Sequence, residues 1–208
     1  MTNLLTGLFI TFEGVEGAGK TTQIALLRDL LQSMGYNVCV TREPGGDAVA
    51  ETVRRLLLEH EMAPRAELLL FLAARAQNVE SVIRPHLATG GIVLCDRFID
   101  SSIAYQGYAR GIGRDTVFHL NEFAIHGMVP NLTVLLDLPP ETGLARQTDR
   151  NRMEAENLEF HTRVREGFLR EAENSPKRFC VLDATGDMAS IHDAIRDRVQ
   201  ALLEDRQR

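Results

Sequence analysis

Short apolar runs alternate along the chain with longer stretches whose apolar positions recur every three to four residues. Leu8–Glu13 (LFITFE) is mostly apolar and reads as a strand. Residues 21–34 follow, with Ile24, Leu27, Leu30 and Leu31 on one helical face before Gly35 ends the pattern. A second strand is expected at 37–42 (NVCVTR), then helices at about 48–58 and 64–87, Pro64 suiting a first turn. A third strand, Ile92–Asp96 (IVLCD), leads into an expected polar loop and a helix near 115–126. Leu132–Asp137 reads as the fourth strand, with a helix from about Pro140 and another near 158–172. A strand at Phe179–Asp183 and a helix at 188–204 close the chain.

Five strands alternate with helices, and most of the strands are apolar on both faces. Such strands belong in a parallel sheet covered by helices on each side, a three-layer α/β arrangement. With 208 residues and no repeat, low-complexity tract or flexible linker, the chain is expected to form a single domain over 1–208. One segment departs from the pattern. Residues 146–159 (RQTDRNRMEAENLE) are almost wholly polar and read either as a solvated helix end or as a mobile lid carrying arginines.

Composition narrows the classes further. A net charge of −6 with 25% charged residues suits an ordinary acidic globular chain, not one that coats nucleic acid. The longest unbroken apolar run, 68–74, falls far short of the roughly 18 residues of a membrane helix. The N-terminus lacks a basic start and its apolar stretch ends at Glu13, so it reads as a strand rather than a signal peptide. Cys39, Cys95 and Cys180 are widely spaced in apolar runs, as unreactive core thiols of a reducing compartment are. The six histidines show no zinc-type spacing. A cytoplasmic protein without membrane or nucleic-acid partners is expected.

The strongest chemical signal lies between the first strand and the first helix. Gly14, Val15, Glu16, Gly17, Ala18, Gly19, Lys20 and Thr21 match G-x-x-x-x-G-K-[ST] at every fixed position, and Thr22 follows. The glycines let the backbone curl so that successive N–H groups face phosphate oxygens, and the helix N-terminus adds its positive dipole end. Lys20 would reach the β- and γ-phosphates of ATP, and the Thr21 hydroxyl would ligate Mg²⁺. No N-K-x-D is present to read a guanine base. The third strand ends in Asp96-Arg97, which would set a carboxylate near Mg²⁺ and a guanidinium at the ligand-facing edge of the sheet. An ordinary surface ion pair would read the same way.

The neighbouring motifs are more specific. Arg42-Glu43-Pro44-Gly45-Gly46 follows the second strand, FLAARAQ carries Phe71-x-x-x-Arg75-x-Gln77, and residues 96–107 read DRFIDSSIAYQG. Together with FEGVEGAGKTT, these resemble the bacterial thymidylate kinases, in order and spacing, over about residues 8–183. The resemblance implies a P-loop NTPase-type fold, transfer of the γ-phosphoryl of Mg-ATP to dTMP to give dTDP, and a homodimer. It also implies a dTMP site made of Glu16, Glu43, Pro44, Arg54, Phe71, Arg75, Arg97, Ser101, Ser102, Tyr105 and Gln106. In that reading Phe71 stacks on thymine and Arg75 reads the base, with Ser102 and Gln106 near its polar edge. Tyr105 fills the space of a ribose 2′-hydroxyl, Arg97 holds the acceptor phosphate, and Glu16 lies near the sugar 3′-hydroxyl. On spacing alone, Phe71 would be core and Arg75 a surface charge.

Phosphoryl transfer needs cations at the transferring group. This phosphate loop has no arginine, so by the resemblance the lid supplies one, from Arg146, Arg150 or Arg152. Two positions depart from the family pattern: Asp47 follows REPGG where Thr is common, and the lid reads Asn151-Arg152-Met153-Glu154 where D-R-x-E is usual. No general base is required, because a nucleotide phosphate with a second pKa near roughly 6 is already largely ionised. The alternatives are a kinase for another nucleoside monophosphate or a deoxynucleoside, and a P-loop regulator that binds nucleotide without turnover.

Overall fold

A computed structural model describes residues 6–146 and 152–207. The β-strands are β1 (Leu8–Glu13), β2 (Val38–Arg42), β3 (Ile92–Asp96), β4 (Leu132–Asp137) and β5 (Phe179–Asp183). They form one parallel sheet in the order β2-β3-β1-β4-β5. The helices are α1 (Lys20–Ser33), α2 (Ala48–Glu59), α3 (Pro64–Asn78), α4 (Arg84–Ala88), α5 (Ile99–Ser102), α6 (Arg114–Ile125), α7 (Pro140–Ala145), α8 (Leu158–Asn174) and α9 (Met188–Gln207).

The two-residue period of the strands decides which layer each side chain joins. Leu8, Ile10 and Phe12 of β1, with Ile92 and Leu94 of β3, pack with Leu27, Leu31, Phe160, Phe168 and Ile195 from α1, α8 and α9. Phe9, Val93 and Cys95 point the other way, onto Val79, Ile83, Leu87 and Ile125. The fully buried hydroxyls of Thr11 and Thr133 on the central strands satisfy each other across 2.9 Å. The edge strands β2 and β5 are less covered, as expected where one side lacks a neighbour.

The structure departs from the expected elements in two places. The long helix expected over 64–87 is interrupted by a π-helical turn, Val79–Ile83, between α3 and α4. Pro85 has no N–H to give a carbonyl four residues back, and the widened turn, with Arg84 N bonding Val79 O, absorbs that defect just before it. The second departure is larger. The expected polar loop after β3 is helical, α5 running into a π-helical turn Ile103–Ala109 that is almost wholly buried. Its polar side chains go inside because buried carboxylates receive them. Ser101 Oγ donates to Glu13 at 2.6 Å, and Gln106 Nε2 to Glu67 at 2.8 Å.

Asp47 is the N-cap of α2. Its carboxylate accepts from Ala50 N at 2.8 Å and also holds Gln77 Nε2 and Ser81 Oγ, each at 2.7 Å. The departure from Thr therefore keeps the cap and ties the start of α2 to α3. The sheet order puts β3 and β4 on opposite sides of β1, so the crevice at the carboxyl end of β1 is where a ligand would settle. Phe12 and Arg42 both register with Asp96, which brings the ends of β1, β2 and β3 level at that crevice.

Candidate active site

The phosphate loop curls tightly between β1 and α1. Gly17 sits at φ +71°, and a Cβ there would lie 2.5 Å from Gly143 O, so the loop packs backbone to backbone on α7. Lys20 is buried within the curl and donates from Nζ to Gly14 O (3.1 Å) and Val15 O (3.0 Å). Burial and the neighbouring Arg97 lower its pKa, opposed by Glu16, Asp96 and Glu13. Thr21 Oγ1 lies 3.5 Å from Asp96 Oδ2, while the buried Asp96 Oδ1 has no hydrogen-bond partner. A hydroxyl beside a half-satisfied carboxylate fits a hard divalent cation. No group of three or more Asp, Glu, His or Cys side chains that could hold a metal occurs among the described residues. Any such cation would therefore draw its other ligands from phosphate oxygens and water.

Arg97 occupies the corner where β3 leaves the sheet. Its φ of +70° lies in the left-handed region, a conformation costing about 1–3 kcal/mol that surrounding bonds must hold. Its backbone N–H donates to Phe12 O at 2.9 Å, and its guanidinium reaches Gly14 O (3.1 Å), Ser101 Oγ (3.2 Å) and Glu16 Oε1 (2.6 Å). The same guanidinium lies 5.2 Å from the centre of the Tyr105 ring, and Tyr105 OH donates to Glu16 Oε1 at 3.1 Å. Burial works against ionisation of Glu16, but Arg97 and Lys20 outweigh it and hold the carboxyl down at about 2. Burial and Glu16 push the Tyr105 hydroxyl up, so it remains a donor. Behind them Glu13 accepts from Phe98 N (2.8 Å) and Ser101, and burial together with Asp100 raises its carboxyl to about 7.

A cavity adjoins this corner that every residue expected of the nucleoside site lines: Glu16, Glu43, Pro44, Arg54, Phe71, Arg75, Arg97, Ser101, Ser102, Tyr105 and Gln106. The alternative that Arg75 is a surface charge is not met, since it is 1% exposed. Its Nε donates to Glu43 (2.6 Å), Nη1 to Ser102 Oγ (2.8 Å) and Asn121 Oδ1, and Nη2 to Phe98 O (2.8 Å). Among the described residues these bonds engage four of its five guanidinium protons and leave one on Nη2. Leu58, Met153 and Glu154 also line the cavity and were missed from sequence. Leu58 belongs to the ordinary apolar pattern of α2, and the other two lie in the polar segment, where Glu154 holds the last position of D-R-x-E without that pattern placing it in the site.

Of the three expected lid arginines, Arg146 and Arg152 do not share one location. Arg146 at the end of α7 donates to Gly17 O at 2.9 Å, against the phosphate loop. Arg150 and Asn151 lie outside the described residues. The expectation that Arg152 approaches the transferring group is not met in this structure. Arg152 donates instead to Leu57 O (3.1 and 3.0 Å) and to the buried carboxylate of Glu67 (2.7 Å), which draws it to the far side of the cavity.

A parallel sheet carrying a phosphate loop, beside a cavity lined by Arg54, Arg75 and Arg97, is the arrangement of a P-loop kinase of nucleoside monophosphates. The family model for thymidylate kinase matches residues 12–195. Among relatives, the thymidylate kinase of Geotalea uraniireducens (strain Rf4) is 48% identical over 209 residues, covering 95% of this chain and 98% of that protein. That of Trichlorobacter lovleyi is 49% identical over 208 residues, covering 94% and 98%. The crystal structure of thymidylate kinase from Ehrlichia chaffeensis superposes with a TM-score of 0.79 at 37% identity, covering 93% of this chain and 98% of that one. The chain belongs to the thymidylate kinase family, which phosphorylates dTMP to dTDP.

Proposed function

We propose that this enzyme moves the γ-phosphoryl group of Mg-bound ATP directly onto a phosphate oxygen of dTMP held in the cavity. The observation that carries this is a shared wall. Glu16, Glu43, Arg54 and Arg97 line both the nucleoside cavity and the basin formed by Gly17, Ala18, Gly19, Lys20, Thr21 and Thr22. An acceptor phosphate beside Arg97 and Arg54 therefore faces a γ-phosphate beside Lys20. Arg97 and Arg54 hold the acceptor, and Lys20 and Arg146 neutralise charge on the transferring group; Thr21 and Asp96 would hold Mg²⁺, which would withdraw charge from the ATP phosphates. The acceptor oxygen needs no base, since its second pKa near roughly 6 leaves it ionised at neutral pH.

Phe71 stacks on thymine, and the remaining Nη2 proton of Arg75 meets a base carbonyl. Tyr105, locked by Glu16, Arg97 and edge contacts to Phe160 and Phe168, excludes a 2′-hydroxyl. We assign residues 146–159 to a lid on a single domain. The test is turnover with ATP and Mg²⁺ on dTMP, its ribose counterpart, dUMP, dCMP, AMP and GMP offered separately. Fast dTDP formation, with little product from the purines or the ribose analogue, is expected. Turnover of AMP or GMP at the dTMP rate would overturn the assignment of Phe71 and Arg75.

Arg54 and Arg97 on the shared wall, with Arg146 against the phosphate loop at Gly17, disfavour a binding-only regulator, which needs no such clamp. A homodimer is supported by the apolar side chains that α2, α3 and α6 leave exposed: Val49, Leu56, Leu69, Leu120 and Phe123, the last 88% exposed. Sedimentation at twice the monomer mass would bear this out, and a monomer at micromolar concentration would refute it. The free thiols of Cys39, Cys95 and Cys180 suit a cytoplasmic setting.

A further inference from the structure

Glu67 in α3 is fully buried, and it lies outside the cavity that the reaction uses. Its Oε1 accepts from Gln106 Nε2 (2.8 Å) and Arg110 Nε (3.3 Å), and its Oε2 from Arg152 Nη2 (2.7 Å) and Arg110 Nη2 (3.4 Å). Four donor contacts from three residues thus meet one carboxylate. Each donor leads elsewhere. Gln106 is part of the cavity wall. Arg110 pairs with Glu156 at 2.6 Å and stacks 4.6 Å from the Phe160 ring at the start of α8. Arg152 immediately precedes Met153 and Glu154, which complete the cavity wall, and its other bonds go to Leu57 O at the end of α2.

We propose that Glu67 is a positioning residue that couples the nucleoside cavity to the 152–156 segment, so that filling the cavity and seating that segment favour each other. The charges explain why one carboxylate can do this. Glu67 and Glu156 balance Arg110 and Arg152, a neutral set in which the fully buried Glu67 carboxylate depends on its two half-buried cations. A ligand that presses on Gln106 or on Met153 and Glu154 selects the arrangement in which Arg152 and Gln106 reach the same carboxylate. Loss of the Glu67 charge leaves Arg110 and Arg152 facing each other with Glu156 alone, and the 152–154 wall loses its anchor. Because the basin of Lys20 and Thr21 shares none of these groups, ATP binding is untouched.

The inference rests on the dTMP reading of the cavity, and its test separates the two. Wild-type turnover of dTMP checks that reading. Glu67→Gln then keeps the shape of the side chain and removes its charge, and it is expected to raise KM for dTMP by about tenfold or more, as when one partner of a buried charge pair is lost. KM for ATP is expected to change less than about twofold, and kcat to fall by less than KM rises. Arg152→Met approaches the same contact from the other side, so it carries the test even if the Glu67 variant folds poorly. It is expected to reproduce the rise in KM for dTMP, and the double variant to be no worse than the weaker single one, since the pair acts as a unit. Additive effects, an unchanged KM for dTMP in Arg152→Met, or a loss confined to kcat would overturn the proposal while leaving the dTMP reading intact.

Discussion

Replacing Lys20 by alanine is expected to lower kcat for dTMP by about 10³-fold, the scale of removing one charged donor aimed at the transition state, and to leave the fold intact. Among the described residues Lys20 donates to Gly14 O and Val15 O, and Gly14 O keeps its bond from Arg97 Nη1. The strand before the loop and the apolar face of α1 are anchored by Ile10, Phe12, Ile24, Leu27 and Leu31, none of which needs the ammonium. Burial already disfavours the charge on Lys20, so the side chain is maintained there against its own solvation. The check is single-turnover dTDP formation beside thermal unfolding. A rate within about tenfold of the parent would remove Lys20 from the chemistry.

Arg97 gives the second large effect, and its backbone separates activity from stability. Arg97→Ala is expected to lower kcat/KM for dTMP by about 10³-fold, because one guanidinium orders Gly14, Ser101, Glu16 and the face of Tyr105. Arg97→Lys is expected to recover little of this, since a point charge cannot fork between the loop and Glu16. Arg97→Gly is the informative control. At φ +70° glycine is free of the steric cost that alanine still bears, so the Gly variant should be about 1–2 kcal/mol more stable than the Ala variant yet equally inactive. Chemical denaturation with dTMP kinetics checks this. Activity tracking stability across the three variants would show that Arg97 serves the fold alone.

The parts of the fold that were readable from sequence are those where one local rule suffices. Strands β1, β3, β4 and β5 begin and end where the apolar runs do, and β2 begins one residue later, at Val38, than the pattern implied. The phosphate loop was equally plain because its glycines and Lys20 carry their mechanism in their spacing. The buried helical stretch 99–109 was not readable, since Asp100, Ser101, Ser102 and Gln106 look like surface residues until their distant partners Arg178, Glu13, Arg75 and Glu67 are known. The same holds for Arg75. A single-sequence pattern sees charge, whereas Glu43, Ser102 and Asn121, from three separate stretches of chain, make its burial tolerable. Glu67 gave no signal at all, because its meaning lies in which donors converge on it. The separation of Arg146 from Arg152 is likewise set by α7 packing on the loop and by α2 and α3 receiving Arg152, contacts remote in sequence.

The central claim is that donor basin and acceptor cavity meet at one wall, so the phosphoryl group crosses once and never rests on the protein. The most direct test uses ATP made chiral at the γ-phosphorus with oxygen isotopes, dTMP as acceptor, and stereochemical analysis of the phosphorus in dTDP. A single in-line displacement predicts inversion of configuration. Retention would mean two displacements through a phosphorylated side chain, and would contradict the shared-wall account.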